Sequence, residues 1–231
     1  MDPQQRMFLE TAWETFEAAG IPPGPESGVI GVYAGTGNNS YYLTHVLSHP
    51  DVIELVGPFQ VMTSNEKDYV ATRISHKLDL RGPSLSIHTA CSTSLVAVIT
   101  ACKALIERQC DLALAGGSSV HAPINAGYLY EEGGMLSADG HCRPFDENAQ
   151  GTTFNDGAAA VLLKRLSNAV EDGDHIHAVI RGVGINNDGA DKVSFAAPSV
   201  EGQAGAIAMA QADAGIEPET IGYIETHGTG T

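Results

Sequence analysis

Apolar residues recur at two periods along the chain and divide it into strand-like and helix-like stretches. Phe8, Leu9, Ala12, Trp13 and Phe16 fall at helical spacing behind Asp2-Pro3, a capping residue followed by the proline that suits a first helical position. Gly20 closes that run, and core packing is expected of Trp13 and Phe16. Residues 28–34 (GVIGVYA) predict a buried strand running into Gly35-Thr36-Gly37. No third glycine follows at the offset of a dinucleotide-binding loop, because Ser40 stands there, so the turn reads as a strand end. Residues 38–61 show no clean period and read as irregular, with a turn at Gly57-Pro58. A helix is predicted from Glu66, with Val70, Ile74 and Leu78 on one face. Residues 111–115 (DLALA) predict a short strand stopped by Gly116-Gly117. Further strands are predicted over 157–166, 176–186 and 221–225, and a helix of small residues over 200–214. Residues 133–156, rich in Gly, Pro, Asp and Asn, read as a long loop of the kind that carries function. Apolar strands alternating with helices argue for largely parallel sheets covered on both faces.

Both periods meet in residues 83–107, PSLSIHTACSTSLVAVITACKALIE. Leu85 and Ile87 alternate with Ser84, Ser86 and His88, which predicts a strand. At Thr89-Ala90-Cys91-Ser92 the alternation stops. Ser92, Thr93 and Ser94 are helix-capping types, and Leu95, Val96, Val98, Ile99, Cys102, Leu105 and Ile106 follow. Those positions wrap nearly the whole helix, so burial between layers is expected. Cys91 is placed on a tight strand-to-helix turn at the positive end of the helix dipole, where a thiol ionises readily. From spacing alone it reads either as a small buried hydrophobe, the commoner fate, or as a nucleophile beside backbone N–H groups that stabilise an oxyanion.

Composition narrows the options. With 43% hydrophobic residues among 231, the chain is globular; with 12 Lys and Arg against 28 Asp and Glu, its formal charge is −16. No basic patch is visible, so nucleic acid is not an expected partner. The four cysteines, Cys91, Cys102, Cys110 and Cys142, form no C-x-x-C pair, and no spacing fits a zinc site. Few cysteines and no secretory leader point to a reducing, cytoplasmic setting. The longest apolar runs, such as residues 158–163, are too short to cross a bilayer.

Thr89-Ala90-Cys91-Ser92-Thr93-Ser94 resembles the active-site signature of β-ketoacyl synthases, the condensing enzymes of polyketide and fatty-acid assembly. His227-Gly228-Thr229-Gly230-Thr231 resembles their second signature. The two stand in the family's order, and the likeness covers essentially the whole chain. It is strongest to the ketosynthase domain of a modular type I polyketide synthase. The Cys-Ser-Thr-Ser form, with Gly140-His141-Cys142-Arg143-Pro144-Phe145-Asp146, is reminiscent of hybrid peptide–polyketide systems. The resemblance implies a thiolase-like α-β-α-β-α layering. Residues 1–169 would form the half that carries the nucleophile, and 176–231 the start of the second half, stopping after the His-Gly-Thr-Gly-Thr motif. Asp2-Pro3-Gln4-Gln5-Arg6 stands where the family has such a motif well inside its domain, so an internal fragment is expected, inactive on its own.

By the same resemblance Cys91 takes an acyl chain from a carrier thioester, and a malonyl-type extender then loses CO2 and attacks that acyl group. His227 would donate to the developing enolate oxygen, and Thr229 and Thr231 would hydrogen-bond the pantetheine arm; as bare sequence these three are turn and loop residues. The family's second histidine and its lysine would lie beyond Thr231. No cofactor of its own is implied: substrates arrive on the phosphopantetheine arm of an acyl carrier protein domain. Neighbouring synthase domains and a second copy in a homodimer are the other implied partners, with no membrane. A non-elongating domain that only passes on the acyl chain is an alternative, as is a thiolase acting on free acyl-CoA. Two departures stand out. His88 occupies a place where the family often has Asp or Gln, and strand alternation turns it from the core. Asn155 stands where glycine is commoner, a residue that tolerates a left-handed turn.

Overall fold

Asp2 starts the fold. In this computed structural model, which describes every residue except Asp191 and Ala196, its Oδ1 accepts the Gln4 backbone N–H at 2.9 Å and caps helix α1 (Pro3–Ala19). Gly20, at φ 66°, ends the helix as expected. Phe8, Ala12 and Phe16 form its buried stripe. Trp13 does not join them: one residue on from Ala12 it is rotated about 100° off that stripe, and it is 47% exposed.

Four strands form one sheet in the order β2-β1-β3-β4. β1 (Ile30–Thr36) is parallel to β2 (Ser84–Ser86) and β3 (Leu112–Ser119), whereas β4 (Gly157–Lys164) runs antiparallel to β3, so the expected parallel character stops at that edge. Alternation sorts the two faces. Ile30, Val32, Ala34, Leu112 and Leu114 cluster with Phe8 and Phe16 of α1 and with Val70 and Ile74 of α4 (Val70–Leu78). On the other face Tyr33, Ala113 and Ala115 meet Ala97, Ala101 and Leu105 of α5 (Thr93–Ile106). The product is helix, sheet and helix in three layers.

The start of α1 is fastened to this sheet by buried polar groups. Ser118 Oγ donates to the Gln4 carbonyl at 2.9 Å, Val120 N donates to Gln4 Oε1 at 3.3 Å, and Gln4 Nε2 donates to Asp2 Oδ2 at 3.1 Å. Arg73 Nε donates to Gln5 Oε1 at 2.7 Å, reaching across from α4. Burial pushes the Asp2 carboxyl above the usual carboxylate range, and the bonds from Gln4 offset part of that. Asp2→Ala removes the cap and leaves the Gln4 backbone N–H without its acceptor, so a loss of about 2 kcal/mol in denaturant unfolding is expected.

Three sequence expectations change. Residues 38–61 are not irregular: a π-turn (Tyr42–Val46) precedes α2 (Pro50–Val56) and α3 (Pro58–Asn65), which meet at Gly57, φ 89°. The strand at 111–115 does not stop at Gly116-Gly117 but continues to Ser119, because Gly116 lets the backbone of Ala159 in β4 come close. The strands predicted at 176–186 and 221–225 form no ladder among the described residues; only α7 (Val200–Ala214), between them, takes regular form after α6 (Leu166–Glu171), followed by one 3-10 turn at Pro218–Thr220. Alternation supplies an extended backbone, but a strand also needs a hydrogen-bonded neighbour. No helix among the described residues is long and apolar enough to cross a membrane.

Candidate active site

β1 and β2 aim the chain at Cys91. Ile87 N donates to the Ala34 carbonyl at 2.9 Å, continuing the pairing one step beyond β2. Alongside, Gly35 has no side chain for a reason of space: a Cβ there would overlap the Ile87 carbonyl oxygen and the Thr93 methyl. The turn then folds on itself. Thr89 N donates to Thr93 Oγ1 at 2.9 Å, and Ser92 Oγ donates to the Thr89 carbonyl at 2.9 Å. Ala90 takes φ 54°, a left-handed conformation uncommon outside glycine, and Ala90–Ser92 form a 3-10 turn into α5.

Cys91 is exposed at the crest of this turn. Ser92, predicted as a cap, spends its hydroxyl on Thr89, and no side chain caps α5; the Thr93 N–H donates to the Ala90 carbonyl, so α5 donors for an incoming oxygen lie among the N–H groups that follow it. The other thiols are distinguished by environment. Burial pushes the Cys102 and Cys110 thiols up, which keeps both protonated; Cys142 is exposed like Cys91.

The helix itself is less enclosed than its all-round apolar surface predicts. Ala97, Ala101 and Leu105 pack on the sheet, while Leu95 and Ile106 are 64% and 74% exposed, because only one sheet is present to cover it among the described residues. The strand before it also differs in facing. Ser84 Oγ accepts from Ser75 Oγ at 2.9 Å and Ser86 Oγ donates to the Asp68 carbonyl at 2.8 Å, so the serines point at α4 and its approach and Leu85 is half exposed. His88 is exposed because it lies past the end of β2; alternation alone would put it on the side of Ser84 and Ser86, which faces α4.

The second signature is held by the long loop. Gly151 N donates to the Gly230 carbonyl at 3.0 Å. The Cys142 sulfur lies 3.2 Å from the Thr229 carbonyl oxygen and 3.5 Å from that of Gly228. Gly228 and Gly230 have φ 56° and 67°, and a Cβ on Gly230 would press on Arg143 N and the Gly151 carbonyl, each at 3.2 Å. Thr229 Oγ1 and Thr231 Oγ1 are 2.7 Å apart, two hydroxyls presented together. His227 is exposed just ahead of this seat, and no hydrogen bond joins it to Cys91 among the described residues. Sequence reasoning marks the loop as functional but misses that it seats the motif, since no pattern announces a bond between positions this far apart in the chain.

The loop is braced from within. Ser137 N donates to the Thr152 carbonyl at 2.8 Å, and Arg143 Nη1 pairs with Asp139 Oδ2 at 3.0 Å. Hydrogen bonds from Arg143 and Ser137 hold the Asp139 carboxyl far below the usual range. At its far end His121 Nδ1 lies 2.7 Å from Asp156 Oδ1, and that contact lowers the Asp156 carboxyl. Asn155 does not adopt a positive φ, so the left-handed turn considered for it is not used.

Comparison with known proteins identifies the family. Residues 1–169 match the family model for the β-ketoacyl synthase N-terminal domain, and residues 177–231 that for its C-terminal domain. The whole chain is 49% identical over 237 residues to a phenolphthiocerol/phthiocerol polyketide synthase of Mycobacterium tuberculosis, covering 16% of that protein. It is 42% identical to polyketide synthase PksN of Bacillus subtilis, covering 4% of it. Among solved structures it superposes on ketosynthase twelve of the bacillaene synthase of Bacillus amyloliquefaciens with TM-score 0.88 and 44% identity, over all of this chain and 40% of that one. An oxazolomycin ketosynthase domain of Streptomyces albus gives 0.86 and 37%, again over 40% of its length. The chain thus spans about two fifths of the ketosynthase structures it matches and a smaller share of the synthases. On sequence, fold and the turn that carries Cys91, this chain belongs to the β-ketoacyl synthase family and has the thiolase-like fold of the polyketide synthase ketosynthases.

Proposed function

We propose that the chain works as part of a ketosynthase within a multidomain polyketide synthase, with Cys91 as the acyl-accepting nucleophile. The observation that carries this reading is the exposed Cys91 on a left-handed turn ahead of an uncapped helix start. The Cys91 thiolate attacks the thioester carbonyl of a carrier-bound acyl chain. A new S–C bond forms, the old one breaks, and the pantetheine sulfur leaves as a thiol after taking a proton. A malonyl-type extender next loses CO2; the electron pair left behind forms an enolate, whose carbon attacks the acyl group and returns the Cys91 thiolate. Open N–H groups of α5 face charge on the acyl oxygen, and His227 donates to the enolate oxygen. Thr229 and Thr231 hydrogen-bond the pantetheine arm, which fits their paired hydroxyls. Residues 1–169 form the nucleophile half and 176–231 the opening of the second half. The assembly acts in the cytoplasm as a homodimer with acyl carrier domains as partners, and the chemistry of these residues calls for no bound cofactor.

Mass spectrometry of the synthase after exposure to an acyl thioester should find the acyl mass on the Cys91 peptide. Acyl mass on Cys142 alone would sink the assignment. His227→Ala should load Cys91 at close to the normal rate while malonyl decarboxylation falls about a hundredfold, the cost of one lost donor to a developing oxyanion. A domain that only relays acyl chains would load Cys91 and release no CO2 even without substitution.

A further inference from the structure

Cys142 has no task in the chemistry above, yet its sulfur is among the best-connected side-chain atoms of the long loop. It lies 3.2 Å from the Thr229 carbonyl oxygen, 3.5 Å from the Gly228 carbonyl oxygen and 3.8 Å from Thr152 Oγ1. A thiol has one hydrogen to give, so the two carbonyls share it, and the Thr152 hydroxyl donates back to the sulfur. Next to this bond Gly151 N holds the Gly230 carbonyl. One loop therefore grips three successive carbonyls of the second signature, two of them through Cys142. Gly228 follows His227 directly and takes φ 56°, a backbone state with little steric preference of its own. Where the His227 imidazole points thus depends on what holds the Gly228 and Thr229 peptides.

We propose that Cys142 is a positioning residue for His227: its thiol fixes the backbone after the imidazole and so sets the donor's aim at the enolate oxygen. The role rests on the ketosynthase reading above. It belongs to the thiol as a hydrogen-bond donor and requires no ionisation or oxidation of the sulfur. A small aiming error costs rate in the step that uses the imidazole and spares the step that does not.

The test uses the full-length synthase with its carrier domain loaded with phosphopantetheine, and reads Cys91 acylation and malonyl CO2 release separately. Cys142→Ala should keep acylation within about twofold and lower CO2 release about fivefold, the worth of one ordinary hydrogen bond. Cys142→Ser, which keeps a donor, should recover most of that loss. Cys142→Ala releasing CO2 at the unsubstituted rate would overturn the role. So would equal losses in both steps with no recovery by serine, since that is how a merely structural cysteine behaves. An unsubstituted synthase that loads Cys91 but releases no CO2 would overturn the condensing reading itself, and this role along with it.

Discussion

Cys91→Ala should lower acyl loading of the synthase by at least about a thousandfold while leaving its far-ultraviolet circular dichroism unchanged. The size follows from the proposed chemistry: without the sulfur no acyl-enzyme forms on this turn. Cys102 and Cys110 are kept protonated by burial, and Cys142 is engaged with the carbonyls of Gly228 and Thr229. The fold should survive because Cys91 is exposed and packs in neither apolar cluster. Serine at this position should fare little better, since a hydroxyl is far harder to ionise than a thiol. The measurement is intact-protein mass spectrometry over time with a radiolabel-free acyl thioester. Loading of Cys91→Ala at more than a few per cent of the normal rate would remove Cys91 from the reaction.

Gly35→Ala should destabilise the protein by about 3 kcal/mol and depress acyl loading together with it. A methyl group at this position would overlap both the Ile87 carbonyl oxygen and the Thr93 methyl. One is backbone and the other belongs to a residue already accepting the Thr89 N–H, so neither can rotate away cheaply. Relief requires β1 and the Cys91 turn to separate, which breaks the Ile87–Ala34 bond. Gly157→Ala is the control: a Cβ there meets open space and its φ is not positive, so a change within about 0.5 kcal/mol is expected. Equal melting temperatures for the two variants would refute the close-approach argument.

How far the sequence foretells this depends on whether the signal is local. Asp2, Pro3 and Gly20 bound α1, and Val200 to Ala214 reads as α7, because caps and terminators act on adjacent residues. The Cys91 turn is legible for the same reason: period two gives way to period 3.6 within a few residues. In 38–61, Pro50 and Pro58 look like breaks but occupy first helical positions, so α2 and α3 escape a reading by period. Trp13 and Leu85 are more exposed than their spacing implies because a period names a face without saying how wide the covering layer is. Of the site, the position of Cys91 on a strand-to-helix turn is legible; the seat formed by Cys142 and Gly151 is not, since contacts across dozens of residues leave no mark in a single chain.

Ser119 and Gly157 are register partners, so everything from Val120 to Asp156 departs from the sheet and rejoins it at the same rung. A detour whose two ends are already neighbours owes the rest of the fold almost nothing for its length, because lengthening a closed loop raises its entropic cost only logarithmically. Length can therefore vary in those parts of the excursion that lie outside the Cys142 and Gly151 seat at little cost to the sheet. The scaffold beneath Cys91 stays as it was throughout.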